Sequence, residues 1–132
     1  MGAWGVGTFE NDDAGDWVYR LEESEDLTLL METLRPAADP AGYLEGPASA
    51  EALAAAEVMA ALAGRAAPDL PEEVHAWVKA HRQKVPGDLR QLALRALDQV
   101  AGDSELKELW QETDEMEAWA DRVQELRGRL DS

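Results

Sequence analysis

Apolar residues recur along this chain at spacings of three and four, and the alternation expected of strands does not appear. Ala14, Trp17, Val18 and Leu21 define one amphipathic helix, and Leu27, Leu30, Met31 and Leu34 a second. Ser24, Glu25 and Asp26 between them read as a break followed by a new cap. An alanine-rich helix follows from about Ser49, with Ala55, Val58, Met59 and Leu62 as its stripe and Gly64 as its stop. Leu70, Val74, Trp77, Val78 and His81 line the next helix, which Pro71 opens. Pro86 begins another, striped by Leu89, Leu92, Ala93, Ala96, Leu97 and Val100. Asp103 or Ser104 caps a short helix carrying Leu106, Leu109 and Trp110. Thr113 or Asp114 caps the last one, where Met116, Trp119, Val123, Leu126 and Leu130 form a packing seam.

The pattern predicts an all-α, compact single-domain bundle of about six or seven short helices over residues 1–132. A glycine-rich hook, residues 1–10, is expected to dock on it. Residues 35–48, with three prolines and two glycines, read as a surface connection anchored by Tyr43 and Leu44. A length of 132 residues suffices to bury roughly two thirds of the unfolded surface. Hydrophobic content of 45% with five tryptophans is that of a folded chain.

Charge alters this picture more than any motif does. Twelve Lys and Arg stand against 28 Asp and Glu, a formal net charge of −16. A phosphate backbone would be repelled, so direct nucleic-acid binding is not expected. Residues 103–121 hold eight acids with Lys107 alone, whereas residues 75–99 hold five bases against Asp88 and Asp98. No apolar run approaches the ~18 residues of a membrane span, and the amino terminus lacks the order of a secretory signal. With no cysteine, disulfides and thiolate chemistry are excluded, and the expectation is a cytoplasmic protein not bound to membranes.

The opening, MGAWGVGTFENDDAGDW, differs in composition from everything after it. Trp4 and Phe9 are large enough to fix the glycine-rich segment in a groove between helices. Asn11 or Asp12 can cap the first helix, with Asp13 near its positive end. A functional alternative uses the same residues: Asp12 and Asp16 share a helical face, with Glu10 or Asp13 close by, and could hold a hard cation. The pattern of a calcium loop is out of register, and the lysine of a phosphate-binding loop is missing. Glu72 and His75 form one Glu-x-x-His unit where a di-iron site needs two, and no Ser/His/Asp arrangement follows from spacing. No catalytic residue and no cofactor are therefore assigned.

The opening resembles that of a bacterial family known as domain of unknown function 4259. The shared start is Met-Gly-Ala-Trp-Gly-x-Gly-x-Phe-Glu-Asn-Asp-Asp-Ala-x-Asp-Trp, matched from Met1 to Trp17. Leu70, Pro71, Glu73, Val74 and Trp77, and the segment from Ser104 to Trp110, extend the likeness. The resemblance implies no activity. It does imply that the hook belongs to the domain.

The leading functional expectation is a non-catalytic interaction module whose acidic surface receives a basic protein partner, in one version as an immunity or inhibitor protein. Its candidate binding residues are Trp4, Glu10, Asn11, Asp12, Asp13 and Asp16, with Glu112, Asp114, Glu115 and Glu117. The alternative is a metal-dependent hydrolase or small-ligand protein, with Asp12, Asp13 and Asp16 as its candidate metal ligands. Oligomeric state is left open by the sequence.

Overall fold

Seven helices and no strand are found among the residues that the computed structural model describes, 6–131. They are α1 (Asp12–Glu22), α2 (Thr28–Ala38), α3 (Gly46–Leu62), α4 (Glu72–Ala80), α5 (Gly87–Gly102), α6 (Glu105–Gln111) and α7 (Met116–Asp131). One contiguous hydrophobic cluster takes residues from all of them.

α3 organises the bundle. Thirteen of its 17 residues are buried, so it has no solvent face to speak of and the expected stripe of Ala55, Val58, Met59 and Leu62 understates its role. A helix apolar on every side belongs in the middle of a fold. Its alanines let neighbours approach closely, and each of the other six helices packs against it. α3 ends as its glycine requires: Gly64 has φ +86°, a region costly for residues with a Cβ. Gly64 N–H bonds Ala61 O at 3.0 Å and Arg65 N–H bonds Ala60 O at 2.8 Å, the paired closure of a Schellman motif.

Three expectations need correction. Residues 35–48 are not all connection, because α2 runs through Pro36 to Ala38 and α3 already begins at Gly46. Pro36 sits in the last turn on the exposed side, where the Glu32 carbonyl it leaves without a donor faces water. Pro47 lies in the first turn of α3, where no N–H is needed. The stripe of α2 is rotated: Leu29, Leu30, Thr33, Leu34 and Ala37 are buried, while Met31 is 36% exposed. Leu109 on α6 is also exposed, leaving Leu106 and Trp110 to anchor that helix.

Buried polar groups show what locks the helices in register. The Trp17 indole donates to Thr33 Oγ1 at 2.9 Å, joining α1 to α2 in the core. The Trp77 indole donates to the Ser24 carbonyl at 2.9 Å, and Ser24 begins the break that Asp26 ends by accepting from Thr28 N–H at 3.0 Å. Ser49 donates to the Glu45 carbonyl at the start of its own helix, and Ser104, the cap of α6, donates to the Val100 carbonyl of α5. Glu57, only 2% exposed on the central helix, depends instead on distant groups. Its Oε2 accepts from the Thr8 hydroxyl at 2.9 Å and from Arg129 Nη2 at 3.3 Å. Its Oε1 lies 3.0 Å from Arg129 Nη1 as a charge contact without hydrogen-bond alignment. Arg129 is itself held by Glu125 at 2.6 Å and donates to the Arg65 carbonyl at 3.0 Å. Burial opposes the Arg129 charge, but the carboxylates of Glu125 and Glu57 outweigh it and raise the guanidinium's basicity.

The shortened connection, residues 39–45, is tied to α6. Leu44 is buried, and its carbonyl accepts from Glu105 N–H at 2.9 Å. Glu105 in turn accepts from Gly46 N–H at 2.6 Å, satisfying a free donor at the start of α3. Tyr43 is exposed, and its hydroxyl donates to Glu108. That bond, helped by slight burial and by the charges of Glu108, Glu105 and Asp103, pushes the Tyr43 pKa up to about 12.

Two outcomes follow from these contacts. Arg129→Met should lower stability by about 3 kcal/mol in urea denaturation, because it leaves a buried carboxylate unpaired; adding Glu57→Leu should recover much of that loss. Separately, in a Tyr19→Phe background, Glu108→Gln should move Tyr43 ionisation, followed by phenolate absorbance, from about 12 down towards the ordinary value of 10.0. Because folding raises this pKa, the bond's contribution to stability is whole below pH 10.0 and is lost as pH climbs through about 12.

Candidate functional site

The described part of the hook lies in a cleft that α3, α6 and α7 leave between them. Val6, Gly7 and Thr8 share this cleft with Leu53, Trp110 and Trp119, and Phe9 packs against the core. Gly7 is buried, and Glu10 folds back so that its Oε1 accepts from Gly7 N–H at 2.9 Å while Glu10 N–H bonds Gly7 O at 3.1 Å. A methyl at Gly7 would meet the Glu10 carboxylate, which would have to move aside and give up its bond to the Gly7 N–H. Thr8, the next residue, is the one that reaches Glu57. Trp4, expected to plug a groove, lies outside the described residues.

Asn11 caps α1: its extended backbone and its Oδ1, which accepts from Ala14 N–H at 2.9 Å, supply one of the missing acceptors of the first turn. Two of the candidate binding residues, Glu10 and Asn11, thus have their polar atoms engaged with the hook's own backbone. Asp12 and Asp13 occupy the first turn of α1 near its positive end, with Asp16 one turn on. Asp13 is half-buried and faces Glu51, whose pKa is raised by burial, opposed by Arg20 and reinforced by Asp13.

Asp12 and Asp16 are exposed on the wall of a groove of about 330 Å³, with Phe9, Tyr19 and Glu73 on its other sides. This is the hook–helix junction where the metal reading expects carboxylates to converge. Among the described residues no three acidic, histidine or cysteine side chains come together in a way that could hold a metal ion. Of the histidines, His75 is exposed, and His81 stacks on Trp77 with ring centroids 4.3 Å apart while its Nδ1 donates to the Trp77 carbonyl at 2.8 Å.

The second acidic set sits at the turn from α6 to α7. Glu112, Asp114, Glu115 and Glu117 are all exposed. Thr113 shapes the turn by donating to Trp110 O at 2.7 Å and accepting from Glu115 N–H at 3.1 Å. Trp110, two residues before Glu112, lines the cleft that holds the hook. Asn11 lines that cleft too, while the exposed acids of both sets stand outside its lining.

Neither set is neutralised from within. Arg20 pairs with Glu51, Arg90 and Arg127 with Asp131, Arg95 with Asp39, Arg122 with Asp69, Arg127 with Asp98, and Arg129 with Glu57 and Glu125. Among the described residues, the side chains of Asp12, Asp16, Glu112, Asp114, Glu115 and Glu117 form no ion pair or hydrogen bond. The arginines are placed where they tie helices together, leaving these acids bare.

Residues 2–122 match the family model described as "Domain of unknown function (DUF4259)". The chain belongs to this family. The match takes in the hook, the cleft that receives it and both acidic sets, so these are parts of the family's domain. No curated protein and no solved structure matches the chain. Among the described residues no helix is long and apolar enough to cross a membrane.

Sequence reading missed Glu57 and Arg129, on which the hook's position rests. The available signal was a carboxylate amid the alanines of α3, but its partner is 72 residues away and no local spacing connects them.

The cap and the exposed acids can be separated by experiment. Asn11→Ala should cost about 1 kcal/mol in thermal or urea unfolding, whereas Asp16→Asn, at a side chain without a partner, should stay within about 0.5 kcal/mol of wild type.

Proposed function

We propose that this protein is a non-catalytic interaction module that receives a basic protein partner on the acidic rim around its amino-terminal hook. The observation that carries the reading is the uneven pairing of charge. Six arginines are engaged with acids elsewhere, while Asp12 and Asp16 on α1 and the acids of the α6–α7 turn stand exposed and uncompensated. Keeping like charges bare on a folded surface costs stability through self-repulsion, and a cationic partner relieves it. Such a rim speeds encounter and rejects acidic competitors more than it adds raw affinity. Phe9 and Tyr19 beside Asp12 and Asp16 supply ring faces against which a Lys or Arg stem can lie. One concrete form is an immunity- or inhibitor-like protein that covers a basic toxin or nuclease in the cytoplasm.

The test is affinity capture from a lysate of the source cells with a carboxyl-terminal tag, so that the hook stays free. Wild type is compared with an Asp12→Asn/Asp13→Asn/Asp16→Asn variant and a Glu112→Gln/Asp114→Asn/Glu115→Gln/Glu117→Gln variant. A basic protein should be retained near 0.1 M salt, where the screening length is about 10 Å, and released near 1 M, where it is about 3 Å. Both variants should lose it while keeping the wild-type helical spectrum. Capture that is indifferent to salt and to both sets of substitutions would overturn the reading.

A further inference from the structure

A second surface, independent of the acidic rim, lies between α2 and α5. Because α2 turns Leu30, Thr33 and Leu34 inward, Leu27 and Met31 are left on its flank, with Arg35 one turn beyond Met31. With Leu89 and Leu92 of α5 they form an apolar floor in a groove of about 480 Å³. That volume lies in the range of small-ligand sites. Met31, 36% exposed, gives the floor a side chain able to adapt its shape to an occupant.

The groove is charged at both ends, with opposite signs. Asp39, just past the carboxyl end of α2, pairs with Arg95 at 3.0 Å, which sets Arg95 at the same end as Arg35. Asp26, before α2, and Asp88, in the first turn of α5, line the groove at the other end. About two helical turns, roughly 11 Å, separate the two charged ends. Arg95 is partly satisfied by Asp39, but Arg35 forms no ion pair or side-chain hydrogen bond among the described residues, in a chain carrying 28 acids. Asp26 is held in place by its bond from Thr28 N–H, which also keeps its carboxyl below the usual range.

We propose that this groove binds a short apolar peptide by its two free ends, the α-carboxylate on Arg35 beside Arg95 and the ammonium between Asp26 and Asp88. At about 3.3 Å per extended residue, three or four residues span the distance, with apolar side chains resting on Leu27, Met31, Leu89 and Leu92. An alkyl carboxylate would satisfy the arginines alone and leave the two aspartates facing its apolar tail. A zwitterion uses both ends. The charges also set a length limit, since a longer chain cannot place both termini at once.

The experiment is calorimetric titration of the full chain with the tetrapeptide Leu-Val-Ala-Leu, its ends free, amidated or acetylated, and with decanoate for comparison. Methyl NMR shifts at the groove's leucines and Met31 are read in parallel. The free peptide should bind one to one and shift those methyls. Amidation and Arg35→Gln should each weaken it about tenfold, and together by little more than either alone. Acetylation and Asp88→Asn should behave as the matching pair at the other end. Absence of binding by both methods, or capped peptides that bind as tightly as the free one, would overturn the proposal. So would decanoate binding as tightly as the peptide and unaffected by Asp88→Asn, which would make this a site for anionic amphiphiles. Arg35 is exposed and unpaired, so Arg35→Gln should keep its thermal midpoint; the amidated peptide on wild type gives the same reading without any substitution.

Discussion

The burial of α3 on all sides is the constraint from which the rest of this structure follows. A central helix touched by six others must be narrow, and its alanines make it so. A helix in that position has little tolerance for charge, yet it carries Glu57. A carboxylate taken out of water needs compensation of several kcal/mol. Here it comes from Arg129 at the far end of the chain and Thr8 near its start. The clasp is a poor source of net stability compared with an apolar pair of the same volume, but it fixes register. It sets where α7 lies along α3, and which way the amino-terminal segment enters the bundle.

Electrostatics elsewhere follows the same economy of cations. With 12 bases against 28 acids, pairing every acid is impossible, and the arginines go where they connect elements distant in sequence. Arg95 joins α5 to the connection after α2, Arg122 joins α7 to the loop before α4, and Arg127 joins α7 to α5. Exposed pairs of this kind contribute little each. Their distribution matters more than their sum, because it decides which surfaces keep a strong negative potential. They include the start of α1, where Asp12 and Asp16 follow the hook. Its chemistry is divided accordingly: Gly7, Thr8, Glu10 and Asn11 hold the turn and cap the helix, while Asp12 and Asp16 face outward.

The helices were legible in the sequence because their signals are local. Three-and-four spacing, Ser104 as a cap, the Ser24–Asp26 break and Gly64 as a stop each act within a turn or two, and the structure reproduces them. The rotation of α2 was not legible. Leu30 and Leu34 fit either face, and only the positions of α3 and α5 decide that Leu29 goes in and Met31 stays out. Pro36 misled for a similar reason, since a proline near a helix end on the water side costs far less than one in the interior. The Glu57–Arg129 contact was invisible because charge pairing across 72 residues leaves no periodic trace. At the hook, capping chemistry and cation binding call for the same residue types, so composition alone could not separate them. The geometry gives Asn11 to a backbone amide, and among the described residues it brings no three acidic, histidine or cysteine side chains together in a way that could hold a metal ion.

The separation between Glu57 and Arg129 also shapes how the chain is made. Synthesis proceeds at roughly 5–20 residues per second, so some seconds pass between the appearance of the α3 carboxylate and that of its guanidinium 72 residues later. During that interval the Glu57 carboxylate has no guanidinium to offset the cost of leaving water. The cluster in which Glu57 meets both Arg129 and the Thr8 hydroxyl is therefore completed only once residue 129 has been made. The register that this contact fixes rests on the last turn of α7, where Arg129 sits.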